Sequence, residues 1–257
     1  MTINSYKQFF YESIANIKKF YDNEQLVLFL GSGVAYDSGM PKWKELIDTL
    51  ADELNIDKDN RNDFLKIAQM YYVQFGENMY YKKLLNIFDL QTKDSNPTID
   101  RLVQLNCKYI ITTNWDDLIE KAIAKYGLFY DIVKKDDDFS KIGSNTNALI
   151  KIHGDLEERN IVFKEDDYLN YETNFPLMHR FLTSLFVRNV FLFIGYSLSD
   201  FNIQQIISWV QNKRDKNLPI YFLEVRKEFD CLEFEYYKNK NIYVLYLKSM
   251  EDVLWVN

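Results

Sequence analysis

The sequence predicts an α/β fold built on an open, doubly wound, mostly parallel sheet with helices on both faces. Short apolar runs of strand length recur along the 257 residues. Stretches of helical periodicity separate these runs, which is the pattern of a parallel sheet covered on both sides. A third observation is that residues 56–98 contain only predicted helices. We therefore predict a single domain over residues 1–257 that carries a helical insertion at about 56–98.

The first half of the chain is predicted to hold two buried strands among several helices. Apolar residues recur at helical spacing from Phe9 to Tyr21, so the first twenty-odd residues are predicted to form an amphipathic helix. Leu26–Leu30 is a continuous apolar run, as in a strand buried on both faces. Further predictions are a strand over Tyr109–Thr112 and helices over Pro41–Leu54, Arg61–Phe75, Tyr80–Phe88, from Asn96-Pro97 onward, and from Trp115 to about Lys125.

The second half alternates strands and helices more regularly. The predicted strands are Ala148–Ile152, Val190–Ile194, Pro219–Val225 and Ile242–Leu247, and the predicted helices are Phe175–Val187 and Phe201–Lys213. The polar segment Lys134–Asn147 predicts a loop. We interpret the Lys and Asp residues at 134–138 as solvated surface.

Composition excludes several classes of protein. A net formal charge of −7 argues against direct nucleic-acid binding, which needs clustered Lys and Arg. Cys107 and Cys231 are too few for a disulfide framework or a four-thiolate zinc site, which favours a reducing, cytoplasmic setting. The apolar runs are far shorter than the roughly 18 residues of a membrane-spanning helix, so no membrane association is predicted.

Small and polar residues follow four of the predicted strands. Ligands bind at the carboxyl ends of the strands in an open parallel sheet, so these residues are expected to converge on one crevice. The four segments are Gly31-Ser32-Gly33, Thr113-Asn114-Trp115-Asp116, His153-Gly154-Asp155 and Gly195 to Asp200. Their convergence is a stronger indication of a site than any one segment.

Each of the first two segments also has a purely structural interpretation. Gly31 and Gly33 would let free backbone amides approach a phosphate, but they would equally suit a plain strand-to-helix turn. Asn114 could cap the helix predicted from Trp115, with Asp116 near the positive end of that helix.

The later segments leave the same choice open. His153 could be a structural turn residue, and the second histidine, His179, falls inside a predicted helix. Ser197 could satisfy the backbone of its loop. Asp200 could cap the helix predicted from Phe201.

Together the four motifs resemble the sirtuin-like superfamily, and in particular the bacterial sirtuin-like domains that are effectors of anti-phage defence. The resemblance is carried, in order, by LFLGSGVAYDSGMPKW, TTNWDDLIEKA, IHGD with DDY downstream, and FLFIGYSLSDFNI. It implies a Rossmann-like sheet that binds NAD+ in an extended pose. Ala35 departs from the pattern, because many relatives have Ser there.

The resemblance also implies roles for individual residues. Asn114 and His153 match the catalytic Asn and His of the family. The residues implied to bind NAD+ are Gly31, Ser32 and Gly33 at the pyrophosphate, Asp116 at the acidic position after the catalytic Asn, and Gly195, Ser197 and Asp200 on the adenosine side.

The implied activity is hydrolysis of NAD+ to nicotinamide and ADP-ribose, without a metal. The four-Cys zinc module of the deacetylating sirtuins is missing, which argues against protein deacylation. Nicotinamide leaves as a neutral group from a cationic substrate, so the transition state should be oxocarbenium-like. Asn114 could hold a ribose hydroxyl and the attacking water, and a His153 near its ordinary pKa could take a proton at neutral pH.

Two other functions and a regulatory expectation remain open at this point. The chain could be a non-catalytic module that binds NAD or ADP-ribose, or less readily an NAD-dependent deacylase or ADP-ribosyltransferase. As the NAD-depleting effector of an abortive-infection system it would need a sensor, and none is visible in the sequence. We therefore expect a homo-oligomer or a hetero-complex with a sensor or regulatory subunit.

Overall fold

The computed structural model of the protein describes residues 3–198, 218–225 and 230–247. Its seven-stranded parallel sheet has the strand order β3-β4-β2-β1-β5-β6-β7. The strands are β1 (Leu26–Leu30), β2 (Tyr109–Thr112), β3 (Tyr130–Val133), β4 (Asn147–Lys151), β5 (Val190–Ile194), β6 (Ile220–Val225) and β7 (Ile242–Leu247). The described helices are α1 (Ile3–Asp22), α2 (Trp43–Glu53), α3 (Phe64–Phe88), α4 (Pro97–Gln104), α5 (Leu118–Lys125), α6 (Glu165–Leu169), α7 (Tyr171–Asn174), α8 (Pro176–Arg188) and α9 (Cys231–Lys238).

The centre of the sheet confirms the predicted fold class. All five residues of β1 are buried, so side chains on both of its faces are covered. β1 lies between β2 and β5, and it pairs in parallel with β5, with Leu28 opposite Leu192. The rings of Phe29 and Phe193 stack at 4.5 Å between these two strands. Continuous apolar strands of this kind are typical of parallel sheets.

The chain divides into two compact units. Unit 1 comprises residues 1–33, 107–111 and 181–257, and unit 2 comprises residues 34–106 and 112–180. Within unit 1, β5, β6 and β7 continue the sheet in parallel register. Within unit 2, β3 pairs in parallel with β4. The segment 56–98 lies in unit 2, and its role as an insertion in a single domain stays a prediction.

Aromatic residues attach α1 to the end of unit 1. The Tyr6 hydroxyl accepts a hydrogen bond from the backbone N–H of Tyr246 in β7 at 2.6 Å. The Tyr6 ring meets the edge of Phe234 in α9 at 5.7 Å. Part of the high aromatic content therefore serves core packing.

The long helix α3 is broken at Gly76. The sequence predicted two helices here, and the break lies between them, where Gly76 has φ 77° and ψ 168°. Glu53, at the end of α2, accepts hydrogen bonds from both arms. Tyr71 donates to one carboxylate oxygen at 2.5 Å and Lys83 to the other at 2.6 Å.

Some elements differ from the sequence prediction. The helix predicted from Trp115 begins at Leu118, because residues 113–117 form an irregular loop. β4 begins and ends one residue earlier than predicted. β3 was missed, because it is a four-residue edge strand that contains the charged Asp131. The predicted helix Phe201–Lys213 lies outside the described residues.

The interpretation of residues 134–138 as solvated surface is wrong in part. This segment enters a 3-10 helix over Asp136–Lys141. Asp138 is buried and accepts the backbone N–H groups of Lys134 and Lys135. Asp136 accepts the first free N–H groups of α8, which is how a helix start is satisfied. Across the described ranges, no helix is both long enough and apolar enough to cross a membrane.

Candidate functional site

Two loops in unit 2 carry the candidate catalytic residues. The β2 loop (residues 113–117) follows β2, and the β4 loop (residues 152–156) follows β4, the neighbouring strand. Five polar side chains in these loops are buried, and the three predicted site residues are among them: Asn114 is 6% exposed, Asp116 5% and His153 2%. A polar group withdrawn from water in this way needs a partner, so the burial alone marks the two loops.

Backbone hydrogen bonds hold the two loops side by side. The N–H of Ile152 donates to the carbonyl of Thr112 at 3.0 Å, which continues the pairing of the strands beyond β4. The N–H of Leu156 donates to the carbonyl of Trp115 at 3.3 Å. The structure therefore brings together the loops that contain Asn114 and His153, as the strand-end pattern predicted.

Asn114 does not cap the following helix. Its own N–H donates to the Thr112 hydroxyl at 3.0 Å. The helix α5 begins at Leu118, too far along the chain for the Asn114 side chain to satisfy its first turn. Asp116 instead accepts the N–H of Leu118 at 3.2 Å. The N-cap interpretation of Asn114 is therefore wrong.

His153 is enclosed by aromatic rings. Its imidazole meets Tyr168 edge-to-face at 5.4 Å and lies 6.4 Å from the ring of Tyr171. Tyr171 is itself fixed, because its hydroxyl donates to the carbonyl of Ile152 at 2.8 Å. The Nδ1 atom of His153 is buried and has no hydrogen-bond partner among the described residues, so none of their carboxylates orients this ring from that side.

Burial shifts the pKa values of His153 and Asp116, the two predicted site residues in these loops that titrate. It lowers the pKa of His153 to about 3, so the expectation of a histidine near its ordinary pKa is wrong and the imidazole is neutral at pH 7. Burial raises the pKa of Asp116 to about 6, although the ammonium of Lys151 opposes the shift.

Sequence reasoning missed Lys151, the last residue of β4. Its ammonium is fully buried and pairs with Asp155 at 2.7 Å and Glu120 at 2.9 Å. The available signal was a lysine inside the otherwise apolar run of residues 148–152, and this run ends directly before His153. Such a charge is seldom buried without dedicated partners.

Aromatic packing surrounds the residue that follows Asn114. The Trp115 ring contacts Trp43 at 4.9 Å, Phe163 at 5.0 Å and Phe88 at 5.5 Å. These rings hold the Trp115 side chain, and with it the β2 loop, in place. The indole N–H of Trp115 is buried and has no hydrogen-bond partner.

The glycines of the first segment lie in unit 1 and meet the loop after β5. The N–H of Gly31 donates to the carbonyl of Ile194, and the N–H of Gly33 to the carbonyl of Gly195, each at 2.9 Å. A 3-10 helix over Ser32–Ser38 follows directly. These two amides are therefore occupied within the protein, so any amides that bind a phosphate here must belong to other residues, as the predicted role of the following helix end requires.

The remaining predicted residues lie on the loop after β5. Gly195 has φ +79°, a conformation that favours glycine. Tyr196 is buried, and its hydroxyl donates to the carbonyl of Leu30 at 3.0 Å. Ser197 is exposed on the same loop. Asp200 lies outside the described residues, as does the helix it was predicted to cap.

The structure groups the candidates by unit. Asn114, Asp116 and His153 lie in unit 2, and Gly31, Ser32, Gly33, Gly195 and Ser197 lie in unit 1. Among residues 3–198, 218–225 and 230–247, no cluster of three or more His, Cys, Asp or Glu side chains is arranged to hold a metal ion.

Comparisons with curated proteins identify relatives in bacterial defence. The chain is 32% identical over 252 residues to defense-associated sirtuin 2 of Bacillus subtilis, which covers 94% of this chain and 25% of that protein. It is 31% identical over 219 residues to NAD(+) hydrolase ThsA of Acinetobacter baumannii (strain 532279), covering 83% of this chain and 45% of that protein. The chain thus spans between a quarter and a half of the length of these relatives.

A solved structure and a family match agree on the fold. The structure described as Sir2 bound to acetylated peptide superposes with a TM-score of 0.51 at 15% identity, covering 83% of this chain and 87% of that chain. The SIR2-like domain family matches residues 108–245, which is more than half of the chain and includes the β2 loop, the β4 loop and the loop after β5. The chain therefore belongs to the SIR2-like domain family, with a Sir2-like Rossmann fold.

Proposed function

We propose that this chain hydrolyses NAD+ at the bond between nicotinamide and ribose. Water attacks the ribosyl carbon, nicotinamide leaves with the electrons of the broken bond, and the products are nicotinamide, ADP-ribose and a proton. The relatives named NAD(+) hydrolase support this reaction. The observation that carries it is the placement of two buried polar side chains, Asn114 and His153, on hydrogen-bonded loops after adjacent strands.

A neutral His153 suits a cationic substrate. The nicotinamide ring of NAD+ carries a positive charge, and an imidazolium beside it would be repelled. With its pKa lowered to about 3 by burial, His153 is uncharged at pH 7 and can accept a hydrogen bond from a ribose hydroxyl or from water. The buried Nδ1 atom has no partner within residues 3–198, 218–225 and 230–247, which fits an atom that a bound ribose hydroxyl or water would satisfy.

Asn114 is proposed to orient the reacting groups. Its amide offers both a donor and an acceptor, so it can hold a ribose hydroxyl and the attacking water together. Since the leaving group needs little acid assistance, placement and electrostatic stabilisation are what the protein must supply. Asp116 is proposed to bind the substrate from the same loop.

The residues of unit 1 are proposed to bind the rest of NAD+. Ser32 and the backbone of residues 31–33 are proposed contacts of the pyrophosphate, made by groups other than the N–H of Gly31 and Gly33. Gly195, Ser197 and Asp200 are proposed on the adenosine side. In the cell, we propose that the reaction depletes NAD+ during anti-phage defence, in a homo-oligomer or a complex with a sensor subunit.

Product analysis of matched variants tests the proposal. Purified protein is incubated with NAD+, and nicotinamide and ADP-ribose are separated by chromatography. We expect equal amounts of both products from the wild type and at least about a 100-fold loss in Asn114→Ala and His153→Ala. His179→Ala and Asn189→Ala are controls, because both replace buried residues of the same types outside the β2 and β4 loops.

Two results would overturn the proposal. Undiminished product formation in both Asn114→Ala and His153→Ala would remove the assigned residues. A wild type that NAD+ stabilises against heat, but that releases no nicotinamide even after activation by its partner or trigger, would replace hydrolysis by binding alone.

A further inference from the structure

Lys151 is a buried cation with two carboxylate partners. Its side chain is 0% exposed, and its Nζ lies 2.7 Å from Asp155 Oδ2 and 2.9 Å from Glu120 Oε1. Burial opposes the charge, but the carboxylates of Glu120 and Asp155 outweigh it and hold the pKa of Lys151 above its ordinary value. The side chain is therefore an ammonium group with three N–H donors.

The same ammonium also binds the backbone of the β2 loop. It donates to the carbonyl of Asp116 at 2.6 Å and lies 3.5 Å from the carbonyl of Trp115. These carbonyls belong to the two residues directly after Asn114. Lys151 and Asp155 lie two residues before and two residues after His153. One ammonium thus joins the chain on both sides of His153 to the chain that follows Asn114.

Charge pairing alone does not account for this arrangement. Asp155 has a second cation, because Lys134 Nζ lies 2.8 Å from the same carboxylate oxygen. Glu120 forms its ion pair with Lys151 among the residues that the structure describes. The Lys151 ammonium also contacts the carbonyls of the β2 loop, and its pairing with the two carboxylates does not require these contacts. The contacts with the carbonyls fix the loop in place.

We propose that Lys151 is a positioning residue, whose ammonium locks the β2 loop to the β4 loop so that Asn114 and His153 act on one substrate. This inference rests on the proposed NAD+ hydrolysis. Hydrolysis of this kind depends on the relative placement of the two side chains, and a shift of about 1 Å can cost roughly 100-fold in rate.

A charge-balanced double variant separates positioning from simple charge pairing. Lys151→Met with Glu120→Gln removes one positive and one negative charge together, and Asp155 keeps its pair with Lys134. We expect kcat for NAD+ to fall by about 100-fold with KM changed less than about threefold. Lys134→Met is the matched control, since it removes the other ammonium on Asp155 and leaves the β2 loop contacts intact. Its kcat should stay within about threefold of wild type.

Hydrogen exchange gives a readout that does not depend on activity. Backbone amides of residues 113–117 should exchange at least about tenfold faster in the double variant, and at the wild-type rate in Lys134→Met. Lys151→Arg serves as a second variant if the double variant does not fold. It keeps the charge, but its planar guanidinium cannot reproduce the four contacts, so kcat should fall by about tenfold.

The outcomes distinguish this inference from the proposed function. Wild-type kcat and wild-type exchange in the double variant or in Lys151→Arg would overturn the positioning role. Faster exchange of residues 113–117, in a protein whose wild type releases no nicotinamide, would support the positioning of the loops and overturn the hydrolysis.

Discussion

The N–H of Gly33 donates a hydrogen bond to the carbonyl of Gly195 at 2.9 Å, and a Cβ atom on Gly33 would lie 2.8 Å from the Gly195 Cα. Real Cβ atoms do not approach backbone this closely. A Cβ on Gly31 would meet the Gly195 carbonyl oxygen and the Tyr196 ring at 2.7 Å. Glycine is therefore needed at 31 and 33 for two loops of unit 1 to pack together, whatever ligand they bind.

Gly33→Ala should destabilise the protein by about 1 to 3 kcal/mol, because the new methyl group has only backbone to displace. Gly143→Ala is the control. Its Cβ would lie 3.0 Å from the Thr146 hydroxyl, a side-chain atom that can move. Chemical denaturation measures both. A Gly33→Ala variant as stable as wild type would contradict the packing requirement.

The free energy of unfolding should decrease as the pH decreases, and His153 should account for part of that decrease. Burial lowers the pKa of His153 from its ordinary 6.5 to about 3. The unfolded chain therefore takes up a proton below pH 6.5, and the folded chain does not until about pH 3. This group favours unfolding increasingly as pH falls through that window, by about 2 kcal/mol between pH 7 and pH 5.

His153→Gln isolates that contribution, because glutamine does not titrate. Urea denaturation of wild type and variant at pH 7 and pH 5 should show a loss about 2 kcal/mol smaller in the variant. The same loss in both proteins would mean that His153 is protonated in the folded state near pH 6.

Asp116→Asn should make the protein more stable and less active. Burial raises the folded pKa of Asp116 from 3.8 to about 6. Ionisation of this carboxylate therefore opposes folding increasingly from about pH 4 to pH 6 and fully above that, so its removal should add up to about 3 kcal/mol at pH 8 and nothing below about pH 4. Asparagine keeps the acceptor for the N–H of Leu118. Thermal melts at pH 4 and pH 8, beside NAD+ turnover, measure both effects, and a variant less stable at pH 8 would contradict the prediction.

Replacement of Trp115 by phenylalanine should reduce the stability of the protein much less than replacement by alanine. Its ring fills the space between Trp43, Phe88 and Phe163, so Trp115→Ala should cost about 3 to 5 kcal/mol. Trp115→Phe keeps an aromatic ring and loses an N–H that has no partner, so it should cost less than about 2 kcal/mol. Urea denaturation of the two variants shows which of them loses more stability. Equal losses of stability would mean that the indole N–H of Trp115 contributes to stability.

The sheet was predictable because its strands are apolar on both faces. Leu26–Leu30, Tyr109–Thr112 and Val190–Ile194 match the observed strands residue for residue. A continuous buried run admits few other conformations at that length. The strand-end rule then found the loops of Asn114 and His153 without knowledge of their partners.

The protonation and contacts of the site were not predictable in the same way. The low pKa of His153 comes from its burial, and the rings packed against it belong to tyrosines that follow it by 15 and 18 residues in sequence. The role of Lys151 depends on carbonyls of the β2 loop, more than thirty residues earlier. Both are consequences of tertiary packing, which a pattern of residue types does not encode.

The break at Gly76 divides α3 into two helical arms that meet at this residue. A Cβ at this glycine would meet no described atom within 4 Å. Two sets of contacts join the arms across the break. Glu53 holds Tyr71 on one side and Lys83 on the other, and the rings of Tyr72 and Tyr80 meet edge-to-face at 5.5 Å. The relative orientation of the two parts of this 25-residue helix therefore depends in part on a carboxylate that belongs to a different helix.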